Sequence, residues 1–419
     1  MISPDCQRRK HGPGRVILLV LGALTTLAIP LSAQDTSASE PTPVPAGQPI
    51  LLQYKEVDAQ IESRSLRMSS QGQPFAKEPD LAGRKPVRGV FLFGTNKVNG
   101  LPFVWDQSRG KLYLDLNRNR DLTDDPKGVF TSRERATFSY YQDFRGIRAS
   151  FETARGTQQA CFDLNIHAGD GGRRFTIGTR SFWEGRVSLQ NRDLQVGLVE
   201  DITTPGSTNE AYLLIRPWAE RDRNFNLQDR PVAAVRLCPN LFYGKQAYMV
   251  QCGFVARESA AGVELQFNEH PADLGELKLS GQYLKRLVLA GAQSKVPWTV
   301  VLDEPEPVVR IPLGTYRFCQ ARLAHGQVEA AYDPPRYDGF SESPIVVVTG
   351  ANPSTFEIGG PLTNAVSVQR NGRNLRFSYE LTGAGGKAYQ LTQTGRDKPP
   401  QYSVVKDGKQ IASGNFQFG

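Results

Sequence analysis

Histidine and cysteine are scarce in this chain, which has only four histidines and five cysteines among 419 residues. No C-x-x-C pair and no H-E-x-x-H pattern occurs, and the histidines are scattered. Zinc sites in proteins are built mainly from Cys and His ligands, so the composition argues against a zinc site. It also argues against catalysis by a histidine acid or base.

Motifs that present a catalytic nucleophile or bind a phosphate are also lacking. The sequence has neither G-x-S-x-G nor G-x-x-x-x-G-K-[ST]. The formal charge is +8, but Lys and Arg form no stripe with interleaved aromatic residues. Nucleic-acid binding is therefore not expected. We predict that the protein is not an enzyme, and no catalytic residue is assigned.

A single long apolar run, Val16–Ile29, follows a basic segment and precedes Leu31-Ser-Ala33. A basic flank, an apolar stretch of this length and a small residue indicate a secretory signal peptide over residues 1–33. A retained membrane anchor is the alternative. No later segment approaches about 18 consecutive apolar residues. We therefore expect a secreted or periplasmic protein without a membrane span after cleavage.

Residues 34–50 are rich in Pro, Ser and Thr, which predicts a disordered tail. Four cysteines follow this tail, and an exported address permits them to form disulfides. Cys238 and Cys252 flank a predicted hairpin, so they are the first choice as partners. Buried, unpaired thiols are the alternative.

Beyond residue 50 the chain alternates between apolar and polar residues, as in Leu375–Leu381 and Gly262–Phe267. A period of two indicates strands with one buried and one exposed face. Asp407-Gly408 between two such runs predicts a hairpin, because both positions tolerate positive φ. Short helices are expected only around Asp58–Met68 and Gly281–Leu287. The predicted fold class is mainly β, with antiparallel sandwich-type domains.

Turn residues place three domains after the tail: 51–255 with two Asp/Asn loops, 256–345 and 346–419. Ile311-Pro-Leu-Gly-Thr-Tyr316 resembles the L-P-x-G-x-Y segment of transthyretin-like and carboxypeptidase-regulatory-like sandwich modules. The evenly spaced strands of the last domain resemble a small immunoglobulin-like module. These resemblances imply sandwich folds for the second and third domains.

The most distinctive stretch is an Asp/Asn-rich run after the strand-like Lys111–Leu116. Hard cations such as calcium take about six to eight oxygen ligands, and a wound loop with Asp or Asn at alternate positions can supply several. A shorter run of the same kind occurs later in the chain. Calcium is the predicted cofactor, and the predicted metal ligands are Asp115, Asn117, Asn119, Asp121, Asp124 and Asp125 in the first run and Asp222, Asn224, Asn226 and Asp229 in the second.

The first run resembles the calcium loops of EF-hand and dockerin proteins over about eleven residues. The resemblance implies that Asp115, Asn117 and Asn119 bind through their side chains. Asp121 takes the position that offers its backbone carbonyl. The run follows a strand and has no flanking pair of helices, so it predicts an EF-like loop in a β scaffold.

The first run also departs from the EF-hand pattern at two positions. Arg120 stands where a glycine is expected and Pro126 where a bidentate acid is expected, so Asp124 or Asp125 would have to close the ligand shell. The charges of Arg118 and Arg120 predict a weak affinity, on the order of 10⁻⁴–10⁻³ M. The alternative is a turn in which the Asp and Asn side chains bond their own backbone.

These observations predict an exported, non-enzymatic β protein that is braced by cation loops and acts as a binding or scaffold module. One alternative is a protein that binds carbohydrate or another cell-envelope component, with Trp105, Trp183 or Trp218 stacking on a sugar; core packing is the commoner role of such residues. A less favoured alternative is a glycoside hydrolase that uses paired carboxylates, with acids from Glu200-Asp201 or Asp303–Glu306.

Overall fold

A computed structural model describes most of the chain from residue 40 onward. The described residues are 40–70, 74–81, 86–95, 97–132, 141–154, 156–169, 172–208, 210–223, 227, 234–256, 261–292, 297–326, 328–332, 343–372, 374–391 and 401–416. The predicted signal peptide lies outside them. Among the described residues, no helix is long and apolar enough to cross a membrane.

The described chain is built almost entirely of strands, as the alternating sequence predicts. The first half contains β1 (Val44–Pro45), β2 (Ile50–Glu56), β3 (Glu62–Ser65), β4 (Arg67–Ser69), β5 (Val87–Leu92), β6 (Leu101–Asp106), β7 (Lys111–Leu114), β8 (Val129–Thr131), β9 (Tyr141–Thr153), β10 (Gly156–Gly169), β11 (Gly172–Thr179), β12 (Ser181–Leu189), β13 (Arg192–Val199), β14 (Tyr212–Pro217) and β15 (Ala234–Arg236).

The second half continues in the same way. It contains β16 (Asn240–Tyr243), β17 (Gln246–Ala256), β18 (Ala261–Glu269), β19 (Leu274–Leu279), β20 (Leu284–Gly291), β21 (Trp298–Asp303), β22 (Val308–Pro312), β23 (Gly314–His325), β24 (Val328–Tyr332), β25 (Ile345–Val348), β26 (Ser354–Phe356), β27 (Thr363–Asn371), β28 (Asn374–Thr382), β29 (Ala388–Leu391), β30 (Gln401–Lys406) and β31 (Lys409–Asn415). Single 3-10 turns occur at Lys97–Asn99, Pro126–Gly128, Trp218–Glu220 and Ala384–Gly386.

Two of the sheets form a sandwich that carries the first Asp/Asn run. The antiparallel meander β4-β5-β6-β7-β8 faces the sheet β3-β11-β10-β9. Their shared core is rich in phenylalanine, and Phe91 stacks on Phe103 with ring centroids 4.0 Å apart. The apolar faces of both sheets are buried in this way, which fixes the β7–β8 connection at the rim of the sandwich.

A second sandwich-like layer lies in the C-terminal half. The sheet β22-β19-β26 packs against strands β20, β21 and β23, and the core between them includes Leu277, Leu289, Ile311 and Phe318. The Tyr316 hydroxyl, in the segment that resembles transthyretin-like modules, donates to the Pro312 carbonyl at 2.6 Å. The mainly β, antiparallel, sandwich-type fold class is confirmed.

Strand pairing continues across both predicted domain boundaries. β18 pairs with β17 and also with β2, so the boundary at residue 256 falls between strands of one sheet. β25 straddles the boundary at residue 345 and pairs with β23. Residues from Pro41 onward belong to a single unit. The turn residues at both boundaries mark the ends of strands, and strands on the two sides of each boundary pair with one another.

Three local expectations are wrong. The short helices predicted around Asp58–Met68 and Gly281–Leu287 are replaced by strands β3, β4 and β20. The predicted disordered tail is ordered in its last part, because β1 pairs with the edge of β12 and Val44 packs on the core there. The described cysteines form no disulfide, and the thiol of Cys238 instead contacts the carbonyl of Pro297 at 2.9 Å.

Candidate functional site

The first Asp/Asn run forms the connection between β7 and β8. Asp115 directly follows β7, and its side chain is fully buried at 0% exposure. One carboxylate oxygen accepts the backbone N–H of Asn119 at 3.1 Å, and the other accepts that of Arg120 at 2.9 Å. A single buried carboxylate therefore closes the loop from the inside, by bonding the backbone four and five residues further on.

Alternate side chains of the run bond the backbone two residues further on. The Asn117 amide oxygen accepts the N–H of Asn119 at 3.0 Å, and the Asn119 amide oxygen accepts that of Asp121 at 2.7 Å. The Asp121 carboxylate accepts the N–H of Thr123 at 2.9 Å. The period of two in the sequence thus corresponds to a series of side chain-to-backbone turns, which is the alternative interpretation of the pattern.

The last acids of the run fold back onto its beginning. The Asp124 carboxylate accepts amide hydrogens from Asn117 at 3.2 Å and from Asn119 at 2.6 Å. The Asp125 carboxylate accepts the backbone N–H of Leu116 at 3.0 Å. Five of the six predicted ligands in this run are therefore joined through one hydrogen-bonded loop, which begins at Asp115.

The sixth, Asp121, points to the rim of the loop. Its carboxylate lies 3.0 Å from the ammonium of Lys77. Hydrogen bonds from Thr123 in the first place, and from Lys77 in the second, lower the pKa of Asp121 to about 2. This side chain already has donors and a cation as partners, so only its backbone carbonyl fits the role that the EF-hand resemblance implies.

The two arginines within the loop donate their side-chain hydrogen bonds to backbone carbonyls. The Arg118 guanidinium donates to the carbonyls of Gly100 at 3.3 Å and Ser150 at 2.7 Å. The Arg120 guanidinium donates to the carbonyl of Pro74. Both arginines have positive φ, 61° and 71°, which places them in the left-handed region that glycine would otherwise fill. These bonds tie the loop to neighbouring elements, and the charge of Arg118 still acts on the carboxylate of Asp115.

Burial dominates the electrostatics of the inner carboxylates. It raises the pKa of Asp115, and the charge of Asp125 raises it further, although backbone hydrogen bonds oppose the shift. Burial also raises the pKa of Asp125. Two acids with raised pKa values side by side favour the approach of a positive charge.

Within the described part of the chain, no group of three or more His, Cys, Asp or Glu side chains is arranged to hold a metal ion. A cation in the first loop would therefore need amide and backbone carbonyl oxygens beside the carboxylates. Calcium accepts such oxygens readily.

The second Asp/Asn run is held differently at its beginning. The buried guanidinium of Arg216 donates to the carbonyls of Arg221 at 2.7 Å and Arg223 at 2.8 Å. The Asp222 side chain is 80% exposed and lies 3.8 Å from Arg221. Carbonyls that could face a cation are thus taken by an arginine. The other predicted ligands of this run, Asn224, Asn226 and Asp229, lie outside the described residues.

All three tryptophans proposed for sugar stacking are buried. The Trp105 indole donates to the side chain of Gln142 at 2.7 Å. Trp183 donates to Glu200 at 2.8 Å, and Trp218 lies 4.5 Å from the guanidinium of Arg186. They are buried residues, so the suggestion that a sugar stacks on these rings is wrong.

The acids considered for glycoside hydrolysis are also held in place. Asp303 is paired with Arg286 at 3.0 Å, and Glu306 lies 2.7 Å from Lys245. Glu200 is different, because burial raises its pKa to about 7. It lines a cavity in which the space open to the centre of a water molecule is about 20 Å³, far smaller than a sugar ring needs. The sequence marks Glu200 only as one acid of the Glu200-Asp201 pair, and its burial could not be predicted because it depends on how two sheets meet.

The chain matches no protein-family model, and comparisons with curated proteins and with solved structures also gave no match.

Proposed function

We propose that this chain is an exported, non-catalytic β protein in which the loop 115–125 binds a calcium ion that braces β7 to β8. The observation that carries the proposal is the buried Asp115 carboxylate, onto which the loop closes. Asp124 and Asp125 fold back beside it, so acids from both ends of the run share one turn. The proposal rests on the first loop alone, because Arg216 already holds the carbonyls at the start of the second.

The donor set of the first loop suits a hard cation. Asp115, Asp124 and Asp125 offer carboxylate oxygens, and Asn117 and Asn119 offer amide oxygens. Each amide oxygen has two lone pairs, and the Asx turn uses only one of them. Burial is the main cause of the raised pKa values of Asp115 and Asp125, and the backbone N–H groups that bond these carboxylates offset it only in part. A bound cation would offset the rest of this effect.

The brace would act locally. Calcium would tie the end of β7 to the 3-10 turn Pro126–Gly128 that leads into β8. Because hydrogen bonds already hold the loop in its closed conformation, a bound cation would order the loop little further. We therefore expect weak binding, on the order of 10⁻⁴–10⁻³ M, and a structural role rather than that of a sensor. The remaining sheets would serve as a scaffold or binding module.

The experiment is isothermal titration of the chain with calcium, together with thermal melts in calcium and in EDTA. Calcium should release heat and raise the melting temperature. Asp124→Asn should weaken binding without unfolding the protein, because Asp124 is exposed and its neutral analogue keeps the same shape. Asp115→Ala should abolish binding.

Asp273→Ala is the matched control, since it removes one exposed acid from a loop of the second half. It should bind calcium as the unmodified chain does. Absence of both heat and a melting shift at millimolar calcium would disprove the proposal. Equal effects of Asp124→Asn and Asp273→Ala would place the ion elsewhere.

A further inference from the structure

A small cavity lies where the sheet β3-β11-β10-β9 meets strand β12. It is lined by Gln158 on β10, Thr179 at the end of β11, Trp183 on β12 and Glu200 directly after β13. Gln158, Thr179 and Glu200 are 6%, 3% and 7% exposed, so all three polar side chains are more than nine-tenths buried. This site is separate from the calcium loop and does not depend on it.

Only part of the hydrogen-bonding capacity around the cavity is used within the protein. One oxygen of Glu200 accepts the indole N–H of Trp183 at 2.8 Å and an amide hydrogen of Gln158. The other oxygen of Glu200, the amide oxygen of Gln158 and the hydroxyl of Thr179 have no partner among the described residues. A buried polar group without a hydrogen-bond partner destabilises the folded state. Three such groups around one cavity therefore point to a bound molecule.

We propose that this cavity binds a single water molecule, which joins Gln158, Thr179 and Glu200 and so links the two sheets. The space open to the centre of a water molecule is about 20 Å³. A cavity needs about 10–15 Å³ on this measure to hold one water, so there is room for one. Buried waters commonly make about three hydrogen bonds, which equals the number of unpartnered groups.

The donors and acceptors also balance for one water. With Glu200 ionised, the water donates to the carboxylate and to the amide oxygen of Gln158, and it accepts the hydroxyl of Thr179. With Glu200 protonated, the carboxylic acid donates to the water, which then donates to Gln158 and Thr179. Because burial raises the pKa of Glu200 to about 7, both forms occur near neutral pH, and one water satisfies each.

The sign of a stability change tests the proposal. Thr179→Val keeps the shape of the side chain and removes its hydroxyl. If the water is present, the variant loses a hydrogen bond, and the folding equilibrium constant should fall about tenfold, which equals about 1.4 kcal/mol. If the cavity is dry, the hydroxyl is buried in the native protein without a hydrogen-bond partner. Its removal should then leave the stability of the protein unchanged or raise it.

Thr176→Val is the matched control, because Thr176 lies on the same strand, is only half-buried and does not line the cavity. Urea unfolding of both variants and of the unmodified chain gives the comparison. A crystal structure of the full chain provides the second readout, with one water expected within hydrogen-bond distance of all three groups. Either of two results would overturn the proposal. One is an empty cavity. The other is a melting temperature that rises in ammonium chloride but not in sodium chloride, because it would mean that an ammonium ion occupies the cavity.

Discussion

The ammonium of Lys77 lies 3.0 Å from the carboxylate of Asp121, at the rim of the first Asp/Asn loop. The contact is fixed by the backbone, because the N–H of Leu122 donates to the Lys77 carbonyl at 3.1 Å and Lys77 forms a β-bridge with Asp121. The hydrogen bond to Asp121 raises the pKa of Lys77. The protein thus places a cation of its own next to the proposed calcium loop.

Replacing this lysine should strengthen calcium binding. Lys77→Met removes a positive charge beside the loop and frees the Asp121 carboxylate, so titration with calcium should show a severalfold tighter affinity. The gain should shrink at high salt, because exposed charges are screened. Lys278→Met, which removes an exposed lysine from β19, should leave the affinity unchanged. Weaker binding in Lys77→Met would mean that Lys77 orders the loop instead of competing with the ion.

Glu200 should make the stability of the protein depend on pH. Its pKa is about 7 in the folded chain against an ordinary value of 4.5, and burial is the main cause. Trp183 and Gln158, which donate to its carboxylate, and the nearby backbone N–H of Gly206 are neutral groups that oppose the shift. The folded state therefore binds the proton more tightly than the unfolded state. The contribution of this group is fully present below pH 4.5 and is lost as pH rises through about 7, by about 3 kcal/mol in total.

Glu200→Gln isolates this effect, because the amide is neutral at every pH and nearly the same size. The difference in unfolding free energy between the variant and the unmodified chain, measured in urea at several pH values, should change by about 3 kcal/mol between pH 4 and pH 8. Glu269→Gln, at an exposed position on β18, should show a flat difference. A flat difference for Glu200→Gln would show that its carboxyl is solvated.

Arg216 should be critical for the second Asp/Asn run. The guanidinium is 4% exposed and donates to Gln195 as well as to the carbonyls of Arg221 and Arg223. Burial lowers its pKa to about 10, so it remains charged at neutral pH. Arg216→Met leaves the fully buried amide oxygen of Gln195 and two partly buried carbonyls without this donor, and should cost about 3 kcal/mol in urea unfolding. Arg174→Met, at an exposed position on β11, should cost less than about 0.5 kcal/mol. Equal losses in both variants would contradict this role.

Features that depend on neighbouring residues in the chain are the ones that the sequence predicts well. The alternation of Leu375–Leu381 corresponds to β28, and Asp407-Gly408 joins β30 to β31 with φ values of 49° and 76°. The Asp/Asn run is a tight loop, as its spacing predicts, because an Asx turn is set by residues two positions apart. In each case the determining contacts are local.

Features that depend on contacts distant in sequence are not predicted. β25 follows a set of turn residues that suggested a new domain, yet its partner is β23, and no local pattern specifies that pairing. The raised pKa of Glu200 arises where β10, β12 and the end of β13 meet. The sequence around Arg216 does not distinguish it from any other arginine in a strand, although its guanidinium bonds the carbonyls at the start of the second run. Burial and pairing of this kind are properties of the assembled sheets.

The Tyr316 hydroxyl should stabilise the turn between β22 and β23. It is buried and donates to the Pro312 carbonyl at 2.6 Å, so it fastens the two strands across Leu313 and Gly314. Tyr316→Phe leaves that carbonyl without this donor and should lower the unfolding free energy by about 1–2 kcal/mol. Tyr283→Phe, which alters a tyrosine that is 43% exposed, should change it little. Because Tyr316→Phe removes one hydroxyl group and leaves the surface exposed on unfolding almost unchanged, we expect the loss without a change in the urea m-value. A loss below about 0.3 kcal/mol would mean that water replaces the tyrosine hydroxyl at the carbonyl.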